Sequence, residues 1–145
     1  MMNIKVSITE HLPQEIREKM ESGLHEYERS HGIDVNYRPF ALLLHNDGGD
    51  VVAVLDAFSS YSSIHIRDMW VDKSHRGKGY GRALVRELEN RFRGSGLNNI
   101  NLVTCEFQAP EFYRKLGFHT EFVRLNTENP KLTVTGFIKY LDAPK

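Results

Sequence analysis

The sequence predicts an α+β fold in which one mixed sheet is covered by helices. Three observations predict it. Strand-like and helix-like patterns alternate in the order strand, helix, irregular segment, three strands, helix, strand, helix, two strands. A chain of 145 residues suits one domain, residues 1–145, around one hydrophobic core. A polar, glycine-rich stretch from Asp72 to Gly81 separates an apolar strand from an amphipathic helix.

The elements follow in order. Ile4, Val6 and Ile8 alternate with polar residues, the mark of a half-buried strand. Pro13 opens a helix whose apolar stripe is Ile16, Met20, Leu24 and Tyr27. Ser30 to Pro39 has neither period and reads as an irregular crossing. Phe40 to His45 and Val51 to Ala57 are strands joined by the turn Asn46-Asp47-Gly48-Gly49-Asp50. A second turn, Ser59 to Ser63, leads to a strand from Ile64 to Val71. Beyond the glycine-rich stretch, Leu84, Val85, Leu88 and Phe92 share one helix face, and Gly94-Ser95-Gly96 stops that helix. Ile100 to Cys105 is a short strand. A helix over Gln108 to Leu116 has Pro110 in its first turn and Gly117 at its stop. Strands around Phe118 to Leu125 and Leu132 to Leu141 complete the chain.

Composition excludes several classes of function. Apolar residues at 40% and charged residues at 26% argue against a largely disordered chain. Lysine plus arginine equals aspartate plus glutamate, at 19 each, so no global basic field gathers nucleic acid. The single cysteine, Cys105, has no internal partner, which suits a reducing compartment. The first ten residues lack a sustained apolar stretch, and no run approaches the ~18 residues that span a bilayer. The expectation is a soluble cytoplasmic protein with no membrane partner. The seven histidines show no paired metal spacing, so no metal is expected.

The chemistry gathers in Arg76-Gly77-Lys78-Gly79-Tyr80-Gly81-Arg82, between a strand and a helix start. Glycines let the backbone approach a ligand closely, and the free N–H groups of the helix's first turn make an anion site. Arg76, Lys78 and Arg82 add positive charge around it. A P-loop needs Ser or Thr after Gly-Lys, and here Gly79 follows Lys78. A dinucleotide fingerprint needs glycine spacings of two and three, whereas Gly77, Gly79 and Gly81 are spaced two and two. That fingerprint also needs an acidic residue about twenty positions on, and Asn98 to Asn101 offers none.

Asp68-Met69-Trp70-Val71-Asp72-Lys73-Ser74-His75-Arg76-Gly77-Lys78-Gly79-Tyr80-Gly81 resembles the cofactor motif of the GNAT superfamily of N-acetyltransferases. Arg76, Gly79 and Gly81 match its arginine and two glycines, and Val71 matches the strand-ending residue before them. Gln108-Ala109-Pro110-Glu111-Phe112-Tyr113-Arg114-Lys115-Leu116-Gly117-Phe118 resembles the family's second signature. The resemblance covers about residues 64 to 118 and implies a mixed, mostly antiparallel central sheet flanked by helices. It implies acetyl-coenzyme A as cosubstrate and an amine as acceptor, allows a homodimer, and does not name the amine.

Residue roles follow from the same resemblance. Met69, Trp70 and Val71 would hold the acetyl carbonyl and pantetheine arm through their backbone. Gly77, Lys78, Gly79, Tyr80, Gly81 and Arg82, with Arg76, would hold the pyrophosphate. Gln108 stands where many relatives have an asparagine that contacts the pantetheine, and Phe112 flanks the same arm. Tyr113 occupies the place of the tyrosine that protonates the departing thiolate.

A tyrosine near pKa ~10 stays protonated beside a thiol near ~8.5, which fits that task. On its own residues Tyr113 reads equally as a core aromatic between Phe112 and Leu116. His65 precedes Val71 by six positions, hence on the face of Arg67, Met69 and Val71 in a regular strand. It is a candidate base for the incoming amine, or a packed histidine. Asp68 would face the other way unless a bulge turned it. Cys105 has no evident activating base and reads as a packing residue. Two alternatives stay open: another acyl-coenzyme A as donor, and a non-catalytic domain that senses coenzyme A or binds a partner.

Overall fold

The computed structural model describes residues 3–142 and divides the chain into two compact units, Met1–Val35 and Asn36–Lys145. In the first unit, α1 spans Gln14–Ser30 with Pro13 at its N-cap. Pro13 lacks an N–H that the helix could not have used there, and Glu15 and Arg29 complement the two ends of the dipole. No residue of α1 is buried, so the stripe of Ile16, Met20, Leu24 and Tyr27 remains substantially exposed.

The expected strand at Ile4 to Ile8 does not form. Its three apolar residues are 81%, 90% and 99% exposed, and residues 3–9 carry no strand assignment. Alternation says which face a strand would bury. Only a hydrogen-bonded neighbour makes the strand, and the described residues supply none.

The second unit contains β1 (Arg38–His45), β2 (Val51–Ser60), β3 (Ser63–Val71), α2 (Tyr80–Phe92), β4 (Asn99–Cys105), α3 (Pro110–Lys115), β5 (His119–Arg124) and β6 (Val134–Tyr140). The six strands form one sheet in the order β1-β2-β3-β4-β6-β5. Only β3 and β4 pair in parallel, and the other neighbours are antiparallel. The mixed, mostly antiparallel sheet expected from the sequence is therefore present.

Leu84, Val85 and Leu88 of α2 join Ala53, Leu55 and Ala57 of β2 and Ile64 and Ile66 of β3 in one buried cluster. Each large aliphatic side chain buried there contributes about 1.5–3 kcal/mol. Phe137 of β6, Phe118 and Tyr113 extend the cluster toward α3. Lys139 of β6 donates to the main-chain oxygen of Leu116 (2.6 Å) and pairs with Glu89 of α2 (2.6 Å), closing the end of α3.

Two features of β3 set up the site. The register with β2 steps from Asp56↔Asp68 to Ala57↔Ile66, leaving Arg67 as a bulge. The bulge inverts the alternation. Ile64, Ile66, Met69 and Val71 face one side, opposite Ser59, Ala57, Leu55 and Ala53, while His65, Asp68 and Trp70 share the other. The regular-strand expectation that groups His65 with Met69 and Val71 is thus corrected, and Asp68 joins the His65 face. Pairing of β3 with β4 is also brief: Ser63↔Asn99, Ile64↔Ile100 and His65↔Asn101 are its only rungs. Beyond His65 the two strands part.

Candidate active site

Strand β3 ends at Val71, and the chain passes through a single 3₁₀ turn, Lys73–His75, before α2. Within that turn the Ser74 hydroxyl donates to Asp72 (2.5 Å), and His75 Nδ1 lies 2.8 Å from the same carboxylate oxygen. These two hydrogen bonds, Ser74's first, hold the Asp72 carboxyl below the usual range. Arg76 folds back and donates from Nε to the main-chain oxygen of Val71 (3.1 Å). Gly79, at φ +85°, is the left-handed N-cap of α2. The first intrahelical bond runs from Ala83 N to Gly79 O (3.0 Å), so the amides just before Ala83 have no partner within the helix. They form a bare cradle at the positive end of the dipole.

A cleft of about 570 Å³ opens above this cradle. Its walls are Met69, Trp70 and Val71 from β3, His75 to Gly77 and Gly79 from the loop, Tyr80 to Arg82 from α2, and Ala109, Phe112 and Tyr113 from the α3 side. Gly81 is needed for its shape: a Cβ there would lie 3.1 Å from Phe112 Cζ. A second, smaller cavity of about 130 Å³ lies along β3 from Ile66 to Met69, β4 from Leu102 to Thr104, and Gln108, Ala109 and Tyr113. Met69, Ala109 and Tyr113 border both spaces.

Tyr113 is 8% exposed, with Phe118 edge-on at 5.7 Å and Phe137 at 6.0 Å between ring centroids. Burial pushes its hydroxyl up to about 12, so it is a proton donor throughout the neutral range. Tyr113 is both a core aromatic and a wall of the cleft. Gln108 borders the smaller cavity, and its Oε1 accepts from Cys105 N (2.7 Å) and Thr104 Oγ1 (3.2 Å), bracing the turn between β4 and α3.

Most expected site residues thus meet in one place. Lys78 is absent from the walls of both cavities, as are His65 and Cys105. His65 stands instead at the last rung of the β3–β4 pairing, on the far face of the sheet, with its ring 5.3 Å from Phe58. His75 and Ala109 line the cleft without having been singled out; the one sequence signal was their place inside the two quoted motifs. Asn101, the partner of His65 across the rung, carried no sequence signal.

An anion cradle at a helix start, opening into a gap between two parting parallel strands, defines a class of α+β domain suited to a long ligand with a phosphate-bearing end. The chain belongs to the acetyltransferase (GNAT) family, whose model matches residues 7–118. It is 42% identical over 64 residues to the glucosamine 6-phosphate N-acetyltransferase of Trypanosoma brucei brucei, covering 43% of each chain. It is 32% identical over 71 residues to the blasticidin-S acetyltransferase of Streptomyces morookaense, covering 48% of this chain and 52% of that one. The matches thus span about half the length of these relatives or less. An acetyltransferase structure from Bacillus cereus ATCC 14579 superposes with a TM-score of 0.76 at 26% identity, covering 92% of this chain and 97% of that one. Acetyltransferases of this family use acetyl-coenzyme A as cosubstrate.

Proposed function

We propose that the chain transfers an acetyl group from acetyl-coenzyme A directly to an amine. The observation that carries this reading is the continuity of the cradle, the cleft and the interstrand gap, with Tyr113 bordering the last two. The chain's residues fit such a cosubstrate. Unpaired amides at the start of α2 receive a pyrophosphate, and Arg76 and Arg82 line the same cleft. The edge of β3 beyond His65 has no β4 partner, which leaves its main chain around Met69 and Trp70 available to an amide-bearing arm, while the Val71 oxygen accepts from Arg76 Nε.

Acetyl-coenzyme A supplies the thioester when bound. The Tyr113 hydroxyl, protonated throughout the neutral range, gives its proton to the departing sulfur as the carbon–sulfur bond breaks. His65 borders neither cavity but shares its face of the sheet with Asp68, which borders the smaller one, and from that side it takes the proton that the acceptor ammonium must lose before it can attack. Cys105 borders neither cavity, which supports transfer without an acyl-enzyme. The two named relatives act on small polar molecules, which favours a small polar amine as acceptor. The family match runs across both compact units, which supports treating the chain as one catalytic domain.

Incubation with radiolabelled acetyl-coenzyme A tests the direct route. Without an amine, the denatured protein should carry no label. With an accepted amine, all transferred label should be in the small-molecule product. Stoichiometric label on the protein that chases into product would contradict the reading.

A further inference from the structure

The last rung of the β3–β4 pairing carries a polar ladder outside the walls of the cleft. His65 Nδ1 lies 2.8 Å from Asn101 Oδ1. Asn101 Nδ2 donates to Asn99 Oδ1 (2.9 Å), and Asn99 Nδ2 donates to Ser63 Oγ (3.0 Å) and Asn98 Oδ1 (2.5 Å). Asn99 is 8% exposed, so a mismatched amide there would be costly. In the arrangement the structure records, both donations from Asn99 leave its oxygen as acceptor, so the Asn101 amide nitrogen lies toward Asn99 and the Asn101 oxygen toward His65. Turning the Asn101 amide over would set two carbonyl oxygens against each other. An oxygen facing His65 Nδ1 requires a hydrogen on that nitrogen.

We propose that Asn101, backed by Asn99, is a positioning residue that holds neutral His65 as its Nδ1–H tautomer and presents Nε2 as the proton acceptor. The proposal rests on the reading of His65 as the base. In the step it serves, an acceptor ammonium N–H bond breaks and its electron pair stays on the amine nitrogen. The proton bonds to the Nε2 lone pair, and the imidazolium keeps its Nδ1–H bond to Asn101. Orientation therefore costs nothing during the transfer. Register and contacts place Asp56 and Phe58 of β2, Arg67 and Asp68 of β3, and Asn99 and Asn101 of β4 around the ring's face of the sheet. Arg67 is drawn off over the Phe58 ring, 4.6 Å from its centroid, and donates to the Tyr37 hydroxyl (2.5 Å).

Long-range proton–nitrogen NMR on the ¹⁵N-histidine-labelled whole chain reads the tautomer directly, with His65 assigned by its loss in His65→Gln. The wild type should show the Nδ1–H pattern above the ring's pKa. In Asn101→Leu that preference should disappear, and kcat/KM for the amine should fall about tenfold, part of the ~10²–10⁴-fold a well-placed base supplies. Asn101→Asp places a carboxylate at Nδ1, so the pH limb of kcat/KM should move to higher pH. An Nε2–H pattern in the wild type would overturn the ladder, and that spectrum needs no variant at position 101. Nδ1–H persisting in folded Asn101→Leu would overturn it too. The reading beneath it fails separately, if His65→Gln leaves the pH limb of kcat/KM unshifted.

Discussion

Arg76 Nε donates to the main-chain oxygen of Val71 across 3.1 Å, tying the end of β3 to the mouth of the glycine loop. The bond fixes where the α2 cradle sits relative to the strand edge. Arg76→Ala should leave the core intact, because Arg76 is outside the buried cluster. Coenzyme A affinity measured by calorimetry should weaken about tenfold or more, 1.4 kcal/mol. Unchanged affinity would mean that the loop holds its shape without the tie.

Gly79 makes a different demand. A Cβ there would meet no protein atom within 4 Å, yet its φ of +85° strains any side chain. Gly79→Val should cost about 1–2 kcal/mol of stability through backbone strain and should also obstruct the cradle. A melting curve and a coenzyme A titration together check this. A variant as stable and as tight-binding as the wild type would contradict the assignment of Gly79 to the cradle.

The cradle was legible because it is local: strand, glycines and helix start lie within a dozen or so residues, and their spacing alone suggests an anion site. The sheet was legible for a similar reason, since most of its strands are short apolar runs bounded by turn residues. What failed was non-local. Whether Ile4, Val6 and Ile8 pair depends on a neighbour the alternation cannot specify. The face His65 occupies depends on one unpaired residue, Arg67, and a bulge leaves no signature in a list of apolar positions. The Asn101 ladder depends on strands joined across 36 positions.

Gln108 is expected to act more as a brace than as a ligand. Gln108→Leu removes the acceptor for Cys105 N and Thr104 Oγ1 while keeping the side chain's volume. Stability should fall by about 1 kcal/mol in a denaturant titration, the usual worth of such a bond. No loss would show the turn between β4 and α3 to be held by other contacts.

Alkaline stability reports on the burial of Tyr113. Its pKa is raised from 10.0 to about 12, so its contribution is fully present below pH 10 and is lost as the pH rises through about 12. The shift corresponds to about 3 kcal/mol at most. The melting temperature of the wild type should therefore fall more steeply between pH 10 and 12 than that of Tyr113→Phe. Parallel curves would mean that the hydroxyl is solvated.

The most direct test is thiol release from acetyl-coenzyme A, followed with a panel of amines spanning amino-sugar phosphates, polyamines and lysine peptides. The wild type should release thiol only when an accepted amine is present. Tyr113→Phe should bind coenzyme A as tightly while turnover falls about 10²-fold or more. A protein that binds coenzyme A yet releases no thiol with any amine, or a Tyr113→Phe variant with undiminished turnover in a rate limited by chemistry, would contradict the account.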